Sequence, residues 1–272
     1  EGSPTGITSF FAIVPKLAIF CVIIKLCSLN IFGVSLELLS LFLYSGVLSI
    51  AVGSLGALTQ TSIKRLLSYS AISQTGFMLY GLSSNTMEGY VSVLFYLVIY
   101  ITVLINIFLV LISSSLHLNN SSLKLIGNLR YLLRSNPILA YSMMFSIFAI
   151  AGVPPLSGFF SKFFIFFSAI SVYSCLSAVV CIFLSVLGAV YYLKIIRSLM
   201  FVRNMHQWLF FAPVRRVSAY LIVYTAVFNI FFCFFGFDLL EHVYCTVIDG
   251  VATDIEFDMM QWHQERMDIR NF

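Results

Sequence analysis

Lys16 and Lys162 are the residues of this chain whose placement calls for chemistry. Lys16 lies inside GITSFFAIVPKLAIFCVII and Lys162 inside VPPLSGFFSKFFIFFSAI, both long apolar stretches. An ammonium near the centre of a bilayer costs roughly 2.5–3.5 kcal/mol on insertion scales, so it persists where it has a partner or a task. Both lysines follow a proline, a residue that frees backbone groups and interrupts a membrane helix. Two lysines beside broken helices point to an ion path. An amine in a partly hydrated, low-dielectric channel can exchange protons that a surface lysine would hold. Lys16 is roughly eleven residues from the nearer end of its run, too deep to snorkel to the interface. Lys162 stands just past Pro154, Pro155 and Gly158, where freed carbonyls and a helix terminus can hold ions or water. The bland alternative for either is a structural lysine bonded to a carbonyl.

A lysine proton relay normally needs a nearby carboxylate. No Asp or Glu lies inside an apolar run except Glu37, at a run's edge, which reads as interfacial. The carboxylate is therefore expected from another polypeptide. Lys64 is a secondary candidate in GALTQTSIKRLLSYSAISQTGFM, residues 56–78. The hydroxyls there could line a wet passage, although a positive anchor beside a small-residue helix interface accounts for the same pattern. His117, His206, His242 and His263 fall in connectors or the tail, and the six cysteines form no CxxC and no Cys/His cluster. No metal site, bound cofactor, catalytic residue or redox chemistry is expected in this chain itself.

What positions the lysines is a membrane bundle. The chain is 60% hydrophobic and 10% charged, and apolar stretches of about 20 residues recur, enough to cross a hydrocarbon core roughly 30 Å thick. The runs are continuously apolar, which excludes the period-two alternation of a barrel. They cover 5–29, 36–58, 66–84, 91–112, 137–172, 174–199 and 217–236. As one straight helix the run 137–172 would be about 54 Å long, too long for the core, and Pro154, Pro155 and Gly158 divide it.

Charge placement decides whether that run is one crossing or two. Residues 1–236 carry 13 Lys/Arg against 3 Asp/Glu, and residues 237–272 carry 2 against 8. With one broken crossing, connectors 59–65, 113–136 and 197–216 share the side of Glu1. They hold Lys64, Arg65, Lys124, Arg130, Arg134, Arg197, Arg203, Arg215 and Arg216. With two crossings that bias vanishes. The positive-inside rule selects one discontinuous helix, with the basic side facing matrix or cytoplasm. The fold class is all-α: a polytopic membrane helix bundle over 1–236 with about seven transmembrane elements, followed by a polar acidic tail over 237–272. The tail's interspersed Ile255, Phe257, Met260, Trp262 and Met267 suit either a short helix docking on a neighbour or a loose segment. The basic residues form no clustered patch of the kind nucleic acid requires, so the non-protein partner is membrane lipid.

The segments EGSPTGITSFFAIVPKLAIF, GALTQTSIKRLLSYSAISQTGFM and AGVPPLSGFFSKFFIF, in this order, resemble the subunit 2 family of the proton-pumping membrane arm of respiratory complex I. The likeness covers about residues 1–236. It implies an antiporter-like fold of fourteen helices containing two inverted five-helix repeats, of which this chain looks like the second portion, from the eighth helix. It implies that Lys16 is the central lysine of that helix and Lys162 the terminal lysine of the broken twelfth. The family's glutamate on helix five and lysine on helix seven lie upstream of Glu1. Gln74 stands where many members carry histidine, and the acidic tail exceeds the family's usual ending.

The implied function is proton translocation as a subunit of NADH:ubiquinone oxidoreductase in the mitochondrial inner membrane. NADH, FMN, iron–sulfur clusters and ubiquinone are expected elsewhere in that complex. Implied partners are a separate chain supplying the first seven helices, as from a split gene, and neighbouring antiporter-like and accessory subunits. Two alternatives stand beside this: a multisubunit cation/proton antiporter using the same lysines, and a non-pumping scaffold of the membrane arm.

Overall fold

The structure, a computed structural model, describes residues 3–29, 36–114, 125–170, 172, 175–201 and 214–270, with the side chains of all but 29, 36, 175, 233 and 250–270. Its helices are α1 (Thr5–Leu29), α2 (Leu36–Leu58), α3 (Ile63–Leu82), α4 (Met87–Ser113), α5 (Arg130–Ser135), α6 (Pro137–Ala151), α7 (Ser157–Ile170), α8 (Cys175–Met200) and α9 (Arg216–Arg270), with a 3₁₀ turn at Ile126–Leu129. Among the described residues four spans, Thr5–Ser28, Glu37–Leu58, Met87–Ser113 and Leu176–Met200, are long and apolar enough to cross a membrane, and the bent pair Arg216–Phe232 and Phe234–Asp249 makes a fifth if it is one span. The protein is a polytopic helical membrane bundle, as the apolar runs require.

α4 is the hub. Its buried face runs from Tyr90 to Leu111, and α1, α3, α6, α7 and α9 pack around it. α2 and α3 approach closely because small residues face each other. A Cβ added at Gly53 would lie 2.5 Å from the Ser73 amide nitrogen, and one at Gly46 would lie 3.0 Å from that of Tyr80. This is the small-residue interface expected over 56–78.

The run 137–172 is two short apolar helices, α6 and α7, separated by a break. α6 ends at Gly152, whose φ of +87° is the left-handed conformation glycine adopts without penalty. α7 starts at Ser157, and Gly158 lies so close that a Cβ there would sit 1.7 Å from the Ala149 carbonyl oxygen. Pro15 behaves differently. α1 is continuous from Thr5 to Leu29 with Pro15 inside it, so the expectation of a broken helix beside each lysine holds for Lys162 and fails for Lys16. A single proline removes one ladder bond, and a long apolar helix in lipid keeps the rest.

The described parts of connectors 59–65 and 113–136 meet at one end, beside α8. Ser62 pairs with Leu125, the Ile126 amide donates to the Thr61 carbonyl at 3.1 Å, and Lys64 Nζ reaches the Ser3 carbonyl at 2.6 Å. Lys194 Nζ, near the end of α8, lies 3.4 Å from the carbonyls of Leu58 and Gln60. Lys64, Arg65, Arg130, Arg134 and Arg197 belong to these elements, whereas Lys124 and Arg203 lie outside the described residues. At the far end of the chain α9 bends by 93° between Phe232 and Phe234. Its second leg carries the acidic segment and packs Leu239, Leu240 and Val243 against the core.

Candidate functional site

Each lysine is held by a different device. On α1, Lys16 Nζ donates to the Ala71 carbonyl of α3 at 3.2 Å and to the Tyr100 hydroxyl of α4 at 3.1 Å. It also lies 5.1 Å from the Tyr100 ring centroid. On α7, Lys162 is 9% exposed and curls back across the helix break. Its Nζ donates to the carbonyls of Ile150 at 3.0 Å and Ala151 at 3.2 Å. Those are carbonyls of the last turn of α6, which have no partner within their own helix. The break therefore supplies the acceptors that the lysine fills, and the Phe77 ring at 5.3 Å covers its other side. Among the described residues no carboxylate pairs with either ammonium.

A polar row lies between them. Gln74 of α3, 2% exposed, accepts from the Tyr96 hydroxyl and donates through Nε2 to the Tyr192 hydroxyl at 3.1 Å. Ser73 meets the Tyr191 hydroxyl at 3.4 Å. A cavity of about 10 Å³ is lined by Gln74, Tyr96, Tyr100, Ser161 and Lys162, so it touches both Lys162 and the tyrosine that holds Lys16. A second of about 10 Å³ lies beyond, lined by Lys162, Gln74, Ser54, Ser73, Tyr191 and Tyr192. Each is about one water in size.

Lys16 also borders a much larger cleft, about 480 Å³, whose lining includes Ser3, Lys64, Arg65, Ser68, Thr75 and Tyr100. The secondary candidate Lys64 thus shares a cleft with Lys16, at the end of the bundle where the basic connectors meet. Lys162 is in neither its lining nor its bonding. His117 and His206 lie outside the described residues, and His242 is exposed on the second leg of α9.

Sequence reasoning missed the tyrosines. Tyr96 and Tyr100 sit one turn apart on α4 in YLVIYI, a segment that reads as apolar. Their spacing of four places both hydroxyls on one helix face, and that was the available signal. Gln74 was read only as a missing histidine, whereas its two-ended amide joins α4 to α8.

With the geometry in place, comparison with known proteins is direct. Residues 1–188 match the family of transmembrane proteins described as NADH:quinone oxidoreductase/Mrp antiporter. The NADH-ubiquinone oxidoreductase chain 2 of Oenothera berteroana is 36% identical over 235 residues, 86% of this chain and 47% of that protein. A chain of respiratory complex I from Thermus thermophilus with bound aureothin is 26% identical with a TM-score of 0.63, covering 74% of this chain and 45% of that one. A chain of the membrane-bound sulfane sulfur reductase, an archaeal respiratory membrane complex, shares the fold at a TM-score of 0.80 and 24% identity over 92% of this chain and 50% of its own. The chain spans about half the length of the curated relatives it matches. On the match over residues 1–188, with the broken α6–α7 pair it contains, this chain belongs to the NADH:quinone oxidoreductase/Mrp antiporter membrane family.

Proposed function

We propose that this chain is the lysine-bearing portion of a proton-translocating membrane subunit of an NADH:ubiquinone oxidoreductase in the mitochondrial inner membrane. The observation that carries this reading is the water-sized cavity touching both Lys162 and Tyr100, the hydroxyl partner of Lys16. A proton reaching Lys16 through the cleft beside Lys64 has the Tyr100 hydroxyl next to it, and behind that hydroxyl a small, mostly apolar cavity that Gln74, Tyr96, Ser161 and Lys162 also line. A water in that cavity completes the link from Tyr100 to Lys162. Lys162 then holds its proton against two carbonyls and a ring face, with no carboxylate among the described residues to fix the charge there. Two ammonium groups inside one bundle repel, and more strongly at the low effective dielectric of a protein interior than in water. Charging Lys16 therefore favours discharge of Lys162. The signal that charges it would come from an upstream glutamate–lysine pair in another part of the subunit, and the redox groups from other subunits.

The test is mild extraction, native-gel separation and mass spectrometry, followed by Lys16→Met in the intact assembly. Comigration with NADH-oxidising activity is expected, together with fewer protons moved per NADH in K16M. An assembled K16M complex that pumps at the wild-type ratio would overturn the proton path. A second reading has the support of the family description, which names Mrp antiporters beside the oxidoreductases. Comigration with small membrane subunits alone, and proton exchange driven by a sodium or potassium gradient, would select it.

A further inference from the structure

The junction of α4, α7 and α9 holds a polar cluster that the lysine path does not use. Asn106 and Asn229 are both fully buried, in α4 and α9, among otherwise apolar helices. Asn106 Nδ2 donates to the Ile222 carbonyl at 3.0 Å and to Thr225 Oγ1 at 2.8 Å. The carbonyl only accepts, so the amide is fixed with its oxygen turned away. Asn229 Oδ1 accepts from Ser157 Oγ at 2.9 Å. That leaves Asn106 Oδ1 and Asn229 Nδ2 buried without a partner.

Such atoms are costly in a membrane bundle, several kcal/mol in a fully apolar setting. Here the two are complementary, one acceptor and one donor. They are also close in register, because Thr225 and Asn229 are one turn apart on the same face of α9 and Asn106 already touches Thr225. A metal cation could satisfy the oxygen but would repel the amide donor. An anion would do the reverse. A neutral molecule that both donates and accepts satisfies both, and water is the smallest one.

We propose that this junction is a binding site for a single water, donating to Asn106 Oδ1 and accepting from Asn229 Nδ2, which ties α9 to the start of α7 and so positions Lys162. Ser157 is the first residue of α7, directly after the break, and Lys162 lies five residues further along the same short helix. A half-helix of 14 residues has few anchors of its own. With Ser157 held through Asn229, and Asn229 held through water to α4, the angle of α7 to the α6 carbonyls is set. The positioning half rests on the function proposed above; the water site does not.

The experiment is a high-resolution map of the intact complex, wild type and Asn229→Leu, with protons moved per NADH measured on the same preparations. Density within hydrogen-bond reach of both amides is expected in the wild type and absent in N229L. The proton ratio should fall several-fold while NADH oxidation by the redox subunits continues, a split that general destabilisation would not produce. Direct pairing of the two amides, or no density between them, overturns the site. Density with an unchanged ratio in N229L overturns the positioning role. If N229L does not assemble, Asn106→Leu removes the acceptor and keeps the side-chain volume filled while leaving the Ser157–Asn229 bond, and the density must vanish there as well. The proton path itself fails separately, through K16M pumping normally.

Discussion

Replacing Lys162 with methionine separates what the ammonium does for the fold from what it does for protons. The variant leaves the Ile150 and Ala151 carbonyls, now bonded at 3.0 and 3.2 Å, without a donor. Each such loss in a buried site costs about 1–3 kcal/mol. Against this, the cost of holding a cation in the bundle, roughly 2.5–3.5 kcal/mol, disappears. The balance runs from roughly 1.5 kcal/mol stabilising to about 3.5 kcal/mol destabilising. Methionine is unbranched and flexible enough to follow the lysine stem beside Gly152 and Phe77. The complex should therefore assemble. Reconstituted into liposomes and driven by NADH, it should move fewer protons per NADH, as read by an internal pH-sensitive dye. Lys162→Arg provides the complementary control. It keeps a donor and a charge but does not release its proton, so it too should assemble and should likewise move fewer protons per NADH. An assembled K162M complex with a wild-type proton ratio would refute the reasoning, because among the described residues no other titratable side chain donates to the broken ends of α6.

Three further substitutions divide the scaffold from the path. Gly158→Ala places a Cβ 1.7 Å from the Ala149 carbonyl oxygen, a backbone atom that cannot swing aside, and should abolish assembled complex on native gels. Gln74→Leu strips the Tyr96 and Tyr192 hydroxyls of their shared amide. At about 1–3 kcal/mol for each buried group left unsatisfied, it should lower both thermal stability and the proton ratio; loss of stability alone would remove Gln74 from the path. Thr86→Ala deletes the α4 N-cap, whose Oγ1 accepts from the Gly89 amide at 3.1 Å. It should cost about 1 kcal/mol of stability and leave the proton ratio unchanged.

The parts of this site legible in the sequence were those carrying charge or breaking a helix. Lys162, Pro154, Pro155 and Gly158 stand out because each is costly in a lipid-spanning helix, and the split within 137–172 follows from length and charge bias together. Helix ends were legible less closely. α3 begins at Ile63 and α4 at Met87, earlier than apolar runs starting at 66 and 91, because Lys64, Arg65 and Glu88 complete a helical turn at the membrane surface while adding nothing apolar. Pro15 misled for a related reason. A proline marks a possible break, but whether the helix parts depends on what would satisfy the freed groups. At 152–156 a left-handed Gly152, two prolines and the Lys162 ammonium all supply an ending; at Pro15 nothing comparable stands beside it in the sequence.

Neutral polar groups were the least legible, and they make most of the contacts. Tyr96, Tyr100, Tyr191 and Tyr192 are counted with the hydrophobic residues, yet they line the two small cavities beside Lys162. Asn106 and Asn229 are single residues diluted by apolar neighbours, and only packing reveals that Asn106 bonds to α9 and Asn229 to Ser157. This division has a physical origin. A charge in lipid costs enough to mark its own position, whereas a hydroxyl or amide costs little once a partner on another helix satisfies it. A proton path can therefore place its titrating groups where the sequence displays them, and hide the groups that connect them. In this chain the displayed groups are two lysines on α1 and α7. The groups between and beside them come from α3, α4 and α8, so the proposed path would require the assembled bundle.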